Sequence, residues 1–195
     1  MILVLFVLVL IADFMLLVGV AISIFFPMHR IWPPTRKDSW QFYISWIIST
    51  FGMMGSPLIA IIDYGSLGDG NWFYFFIGGL AILVGVGVAV WGMMKLSVHQ
   101  SLGLKGKLMT NGPYRYSRNP QYLGFLLMCT GFILVTYSIL GLIAGIIIAS
   151  VFVILPFSEE PWLKNQFGDE YVEYYKRVPR FIGLRSFKPN QIKNY

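Results

Sequence analysis

Charged side chains are scarce in this chain. Asp, Glu, Lys and Arg make up 12% of its 195 residues, against about 25% in an ordinary soluble domain, too few to clothe a water-facing surface. Cysteine is almost absent too. The single one, Cys129, sits inside an apolar stretch, so no intrachain disulfide can form and a tight packing role is expected of it. With only two histidines, His29 and His99, a tetrahedral transition-metal centre is not expected. No Gly-x-Ser-x-Gly elbow, Gly-x-x-x-x-Gly-Lys-Ser/Thr loop or His-Glu-x-x-His pattern occurs, which sets aside the hydrolase, nucleotide-loop and zinc-protease chemistries those motifs serve. No Lys or Arg precedes the first apolar run, and no small-residue cleavage site follows it before Pro27 and His29. That run therefore reads as a permanent helix rather than a secretory signal.

What the chain does have is apolar length. Hydrophobic residues form 56% of the sequence and mean hydropathy is +0.67. Runs near the roughly 20 residues needed to cross a bilayer core are read at 2–26, 40–62, 72–96, 120–137 and 140–157. Pro33-Pro34, the turn-rich 65–71 stretch, a polar segment at 97–119 and Ser138–Gly141 separate them. The expected architecture is an all-α integral membrane protein with five transmembrane helices. The last two form a tight hairpin, and a cytoplasmic helical segment follows at the C-terminus.

Charge placement yields an orientation. All fifteen Lys and Arg fall in 27–39, 95–119 and 158–195, and none in the loops 63–71 and 138–139. The positive-inside rule puts the three basic segments in the cytoplasm and the N-terminus outside. Topology thus accounts for the net charge of +6, and no nucleic-acid partner is expected. Inside the spans, Gly141 and Gly145, and Gly78, Gly79, Gly85 and Gly87, are read as small-residue contacts between helices. Gly85-Val86-Gly87 is not a dinucleotide fingerprint, since Val90 replaces the third glycine and no strand precedes it. Asp13, the one acid within a span, is expected to pair with a neighbouring helix or to stay protonated.

Polar groups concentrate beside the membrane in two places. One is Gly112-Pro113-Tyr114-Arg115-Tyr116-Ser117-Arg118-Asn119-Pro120-Gln121-Tyr122, leading into the fourth span; the other is Glu159-Glu160, ending the fifth. A hairpin of two similar spans returns both to one face, so they should be spatial neighbours. Rings, guanidinium groups and paired carboxylates suit a zwitterionic, nucleoside-like ligand; a plain positive-inside loop with a solvated helix end accounts for the same residues. Farther on, Asp169 is read as an N-cap of a last helix with one aromatic face, carrying a Glu173–Arg177 pair, which lies at the interface or folds over the cytoplasmic mouth.

The block Gly112–Gly124, the hairpin, Glu159-Glu160, Phe167-Gly168-Asp169-Glu170-Tyr171 and Tyr174-Tyr175-Lys176-Arg177-Val178-Pro179 together resemble the isoprenylcysteine carboxyl methyltransferases and their phospholipid-methyltransferase relatives over roughly 95–182. The first two spans carry no part of the resemblance. It implies three N-terminal spans in 1–94 and a methyltransferase core in 95–195, with S-adenosylmethionine as cofactor and S-adenosylhomocysteine as its product. By motif position it implies cofactor contacts at Gly106, Lys107, Leu108, Met109, Tyr114, Asn119, Pro120, Gln121 and Tyr122, with Glu159 holding the α-amino group and His99 a further polar contact. Two positions depart from the pattern. Asn119 stands where family members have histidine and cannot shuttle a proton, and Leu155 stands where isoprenylcysteine enzymes carry an arginine.

A carboxylate is already nucleophilic at neutral pH, whereas an amine must first lose a proton. The absence of a base at Asn119 favours carboxyl O-methylation of a lipophilic, isoprenylcysteine-like or prenylated acceptor taken sideways from membrane lipid, with Arg118 available to position it. N-methylation of a phospholipid or other lipid amine is the alternative. Sterol reductases resemble the motif but are longer and use a nicotinamide cofactor. A non-enzymatic scaffold or transporter subunit is the reading of another class.

Overall fold

The computed structural model describes residues 1–187, apart from the side chains of Val98 and His99. Its helices are α1 (Ile2–Phe25), α2 (Trp40–Ile62), α3 (Trp72–Lys95), the short α4 (Val98–Ser101), α5 (Pro120–Thr136), α6 (Ile139–Phe167) and α7 (Asp169–Arg177). No strand occurs among the described residues. Four of them, α1, α2, α3 and α6, are long and apolar enough to cross a membrane, and much of their apolar surface faces outward, as expected where lipid is the solvent.

Where a fifth span was expected stands α5, an apolar helix of 17 residues, or about 26 Å at 1.5 Å per residue, shorter than the other four. Pro120 opens it at a position where the missing N–H costs nothing, and Tyr137, in the left-handed region at φ 49°, ends it. The helix does not stop at Glu159-Glu160-Pro161: α6 continues through Pro156 and Pro161 to Phe167. Each proline forfeits one backbone bond, while side-chain partners hold Glu159 and Glu160 in place.

Glycine decides how α3 and α5 cross. Gly78 faces Gly131, and Gly85 faces Gly124; a Cβ at Gly85 would lie 2.7 Å from the Gly124 carbonyl oxygen, and one at Gly124 2.5 Å from that of Gly85. Gly79 and Gly87 meet nothing within 4 Å, so only half of the expected α3 glycines thin this interface. Gly141 packs on Ala60 of α2, whereas Gly145 packs on Ile133 of α5.

On the other side of α6, Val9, Ile59 and Ala144 join α1, α2 and α6 in one core cluster. Asp13 is fully buried there and accepts a hydrogen bond from Ser56 of α2 at 3.3 Å; Gly52 leaves the room its carboxyl needs. At the end of the molecule bearing the 63–71 loop, Asp63 accepts hydrogen bonds from Ser138 Oγ at 2.6 Å and from the Leu140 N–H at 3.0 Å, tying α2 to the two-residue α5–α6 link. The polar segments 27–39, 96–119 and 178–187 gather at the opposite end.

Candidate active site

Ser23, in the last turn of α1, begins the construction. Its hydroxyl accepts from the backbone N–H groups of Ile31 and Trp32, both at 3.0 Å, folding the connection back over the helix end. Trp32 thereby reaches Glu159, and its indole Nε1 donates to the carboxylate Oε1 at 2.7 Å. Tyr122, in the first turn of α5, donates its hydroxyl to the same oxygen at 2.5 Å and packs its ring against Phe152. Among the described residues both donors use Oε1, which leaves Oε2 for a donor from a ligand.

Glu160, one residue on, turns to a different neighbourhood. Arg180 grips it bidentately, Nε to Oε1 at 2.7 Å and Nη2 to Oε2 at 2.8 Å, and Arg118 Nη1 lies 3.0 Å from Oε1. The Arg118 guanidinium sits 4.0 Å over the Tyr175 ring and that of Arg180 sits 3.7 Å over Phe157. The Glu160 carboxylate holds the Arg180 pKa above its ordinary value. Glu159 therefore faces a cavity while Glu160 pairs with two cations.

A strap from the C-terminal segment holds the 112–119 loop. The Arg118 N–H donates to the Pro179 carbonyl, while Ser117 Oγ and Asn119 Nδ2 both donate to that of Arg180, all at 3.0 Å. Gly168, at φ 56° and ψ −131°, makes the sharp turn from α6 into α7 that a side chain would oppose; it is the N-cap, and Asp169 is the first helical residue rather than the cap. The Glu173–Arg177 pair is present at 4.0 Å. Tyr171, Tyr174 and Val178 bury the aromatic face of α7 against Leu108, Leu163 and Phe167. Tyr174 donates to the Tyr114 carbonyl at 2.7 Å. Burial pushes the Tyr114 phenol up, with the charge of Glu159 adding to it, and burial likewise pushes Tyr171 up to about 12; these rings stay neutral donors.

Between these elements lies one cavity. Of the residues expected at a cofactor site, Gly106, Lys107, Leu108, Met109, Tyr114, Asn119, Gln121, Tyr122 and Glu159 line it, as does Arg118. Pro120 does not; it is buried as the first residue of α5, against the space left by Gly92. The side chain of His99 lies outside the described residues. Tyr171 and Tyr174, quoted above in the C-terminal motif, also line the cavity, as do Trp32, Trp162 and Gln166, which were not singled out in the sequence. A tryptophan before two prolines at a span end reads locally as an interfacial anchor, and nothing near it in sequence points 127 residues ahead to Glu159.

The wall carries unspent hydrogen-bonding capacity. Gln121 Nε2 and Gln166 Oε1 are buried without a partner, one a donor and the other an acceptor, and such groups are costly unless something meets them. With the Glu159 carboxylate and the rings of Trp32, Tyr114 and Tyr122, the set fits a cationic or zwitterionic ligand with an aromatic base. The cavity holds about 130 Å³, below the roughly 300–1,000 Å³ of sites for such molecules. The 103–109 segment closes one side, held by Gln100 Nε2 donating to the Lys107 carbonyl and Gln166 Nε2 donating to that of Gly106 at 3.4 Å.

The phospholipid methyltransferase family matches residues 64–170. Protein-S-isoprenylcysteine O-methyltransferase B of Arabidopsis thaliana is 39% identical over 75 residues, covering 37% of this chain and 38% of that protein. The protein-S-isoprenylcysteine O-methyltransferase of Schizosaccharomyces pombe is 37% identical over 82 residues, 40% of this chain and 33% of that protein. Phosphatidylethanolamine N-methyltransferase B of Dictyostelium discoideum is 27% identical over 141 residues, 65% of this chain and 68% of that protein. The match thus spans well under half the length of the two isoprenylcysteine enzymes. No solved structure matches.

Proposed function

The chain belongs to the phospholipid methyltransferase family, and from that premise we propose that it is an S-adenosylmethionine-dependent methyltransferase acting on a lipophilic acceptor at the membrane surface. When bound, the cofactor supplies an electrophilic methyl group on a sulfonium. One observation carries the reading: a buried carboxylate, Glu159, fixed by Trp32 and Tyr122 in a cavity where Gln121 Nε2 and Gln166 Oε1 have no partner among the described residues. Glu159 pairs with the ammonium of the amino-acid end, the amide groups read hydrogen-bonding edges, and the rings flank positive charge. Outward movement of the 103–109 segment makes the room. The chain's part in the transfer is to align acceptor, methyl carbon and sulfur and to exclude water.

Carboxyl O-methylation is the favoured reaction. Of the two carboxylates, Glu159 is taken up by Trp32, Tyr122 and, on this reading, the cofactor's ammonium, and Glu160 by two arginines. Neither is free to take a proton from an amine, and a carboxylate acceptor needs no base. N-methylation of a lipid amine is the second reading, supported by the Dictyostelium relative, whose match covers about two thirds of both chains. We place the site and the C-terminal segment in the cytoplasm, with the N-terminus outside, on the charge asymmetry of the loops.

The first test is calorimetric binding of S-adenosylhomocysteine to the detergent-purified chain. Glu159→Ala and Tyr114→Ala are expected to abolish binding, and Trp32→Phe, which keeps the ring but removes the donor, to weaken it roughly tenfold. Absence of binding by the folded wild type would refute the reading and favour a scaffold. Methyl transfer to long-chain thioether carboxylates against ethanolamine phospholipids then decides between the two reactions; turnover of the amine alone would overturn the carboxyl preference.

A further inference from the structure

Among the described residues, Arg30 is a cation without an anion. It follows the helical turn at Pro27–His29, beside the segment that Ser23 anchors. Its side chain is half-buried, and its Nε is buried without a hydrogen-bond partner. All nine acidic side chains of the sequence lie among the described residues, and none forms an ion pair with Arg30; the basic partners in the pairs present are Arg36, Arg118, Arg177 and Arg180. Burial lowers its pKa, the direction expected of a charge that has lost water and gained no counter-ion. Arg118 and Arg180, half-buried or buried in the same end of the molecule, share Glu160. Arg30 differs from both.

Its surroundings connect it to the cavity. The guanidinium lies 5.9 Å from the centre of the Trp162 ring, within cation–π range. Trp162 lines the cavity and stands three residues after Glu159 on α6, on the same side of the helix. Two residues beyond Arg30, Trp32 holds Glu159 itself. Leu155 lies one turn before Glu159 and seven residues before Trp162, so this face of α6 offers no cation of its own. The cation at this flank comes from the α1–α2 connection, beside lipid-facing helices.

We infer that Arg30, backed by Trp162, is the specificity-determining subsite that binds the anionic oxygen group of the lipid acceptor. Arg suits this role because its planar fork meets carboxylate and phosphate oxygens in pairs. The shared chemistry is an anionic head on an apolar chain, and two sources can supply it: the carboxylate of a thioether acid or the phosphodiester of a phospholipid. The inference rests on the methyltransferase reading for what happens next, but not for the binding itself.

The test uses the full chain in bicelles. Calorimetric titrations with dodecyl phosphate, dodecanoate and dodecanol are compared for wild type, Arg30→Gln, Arg30→Lys and, as an exposed control from the same connection, Arg36→Gln. The wild type is expected to bind at least one anion about tenfold or more tightly than the alcohol. Arg30→Gln should remove that difference, Arg30→Lys should retain part of it, and Arg36→Gln should leave it intact. Preference for the phosphate or for the carboxylate identifies the source. Equal binding of alcohol and anions by the wild type, or an equal loss in Arg36→Gln, would overturn the inference. Should Arg30→Gln fail to fold, the wild-type comparison and Arg30→Lys still decide. In active protein, Arg30→Gln should raise the acceptor KM by a similar factor with S-adenosylhomocysteine binding unchanged. Loss of cofactor binding in the wild type would instead mark failure of the methyltransferase reading.

Discussion

Glu159 and Glu160 are chemically identical neighbours with opposite duties, because about 100° of helix rotation separates them. One faces Trp32, Tyr122 and the cavity; the other faces two guanidinium groups. The Glu160 cluster is closed, with the Arg118 side chain 7% exposed and that of Glu160 13%. Removing the anion strands two cations, so Glu160→Gln is expected to destabilise the chain by on the order of 3 kcal/mol, read as a lowered unfolding temperature in detergent. S-adenosylhomocysteine affinity in the surviving folded fraction should fall much less than in Glu159→Ala. Arg118, expected from the sequence to position an acceptor, is thus held by Glu160 and Tyr175. That pairing was invisible in the sequence, where Arg118 and Arg180 are two basic residues among fifteen. Glu159 and Tyr122 were legible because they belong to compact motifs; Trp32 and Arg30 were not, because their partners lie about 130 residues away.

At the scale of elements, α3 and α5 owe their contact to a glycine register. Gly78, Gly85 and Gly92 recur every seven residues, as do Gly124 and Gly131, and the two rows meet backbone to backbone. Lipid-solvated helices gain little from hydrophobic association, so close packing through small residues carries the interface. Gly85→Leu is expected to force the helices apart and cost at least the roughly 1–3 kcal/mol of an overpacked core. Gly87→Leu, facing open space, should leave the melting temperature nearly unchanged. Equal effects of the two would refute the crossing described. The sequence displays five glycines on α3 without saying which pair with a partner, since that depends on where α5 lies. The length of α6 was misread for a related reason: two prolines and two acids look like a helix end until their partners are seen.

For the whole molecule, one end is structural and the other chemical. Asp63 and its hydroxyl partners lock the end that holds the 63–71 loop. Segments 27–39, 96–119 and 178–187 converge at the other, around Glu159 and Glu160. If the charge asymmetry sets orientation, single cysteines at Asp69 and Lys105 in a Cys129→Ser background should label from opposite sides of the membrane, Asp69→Cys from outside and Lys105→Cys from the cytoplasm. Labelling of both from one side would refute the assignment.

Apolar run length, the breaks between runs and the segregation of Lys and Arg are properties each residue contributes locally, and from them the sequence by itself determined a helical membrane protein with its polar chemistry gathered beside the last helices. Which glycines touch, which acid pairs with which arginine, how Trp32 reaches Glu159 and why Arg30 is left without a counter-ion among the described residues were decided only by the tertiary structure. A buried hydrogen bond or ion pair has its energy set by a partner's position and by the exclusion of water around both, and neither is written in the spacing of residues along the chain.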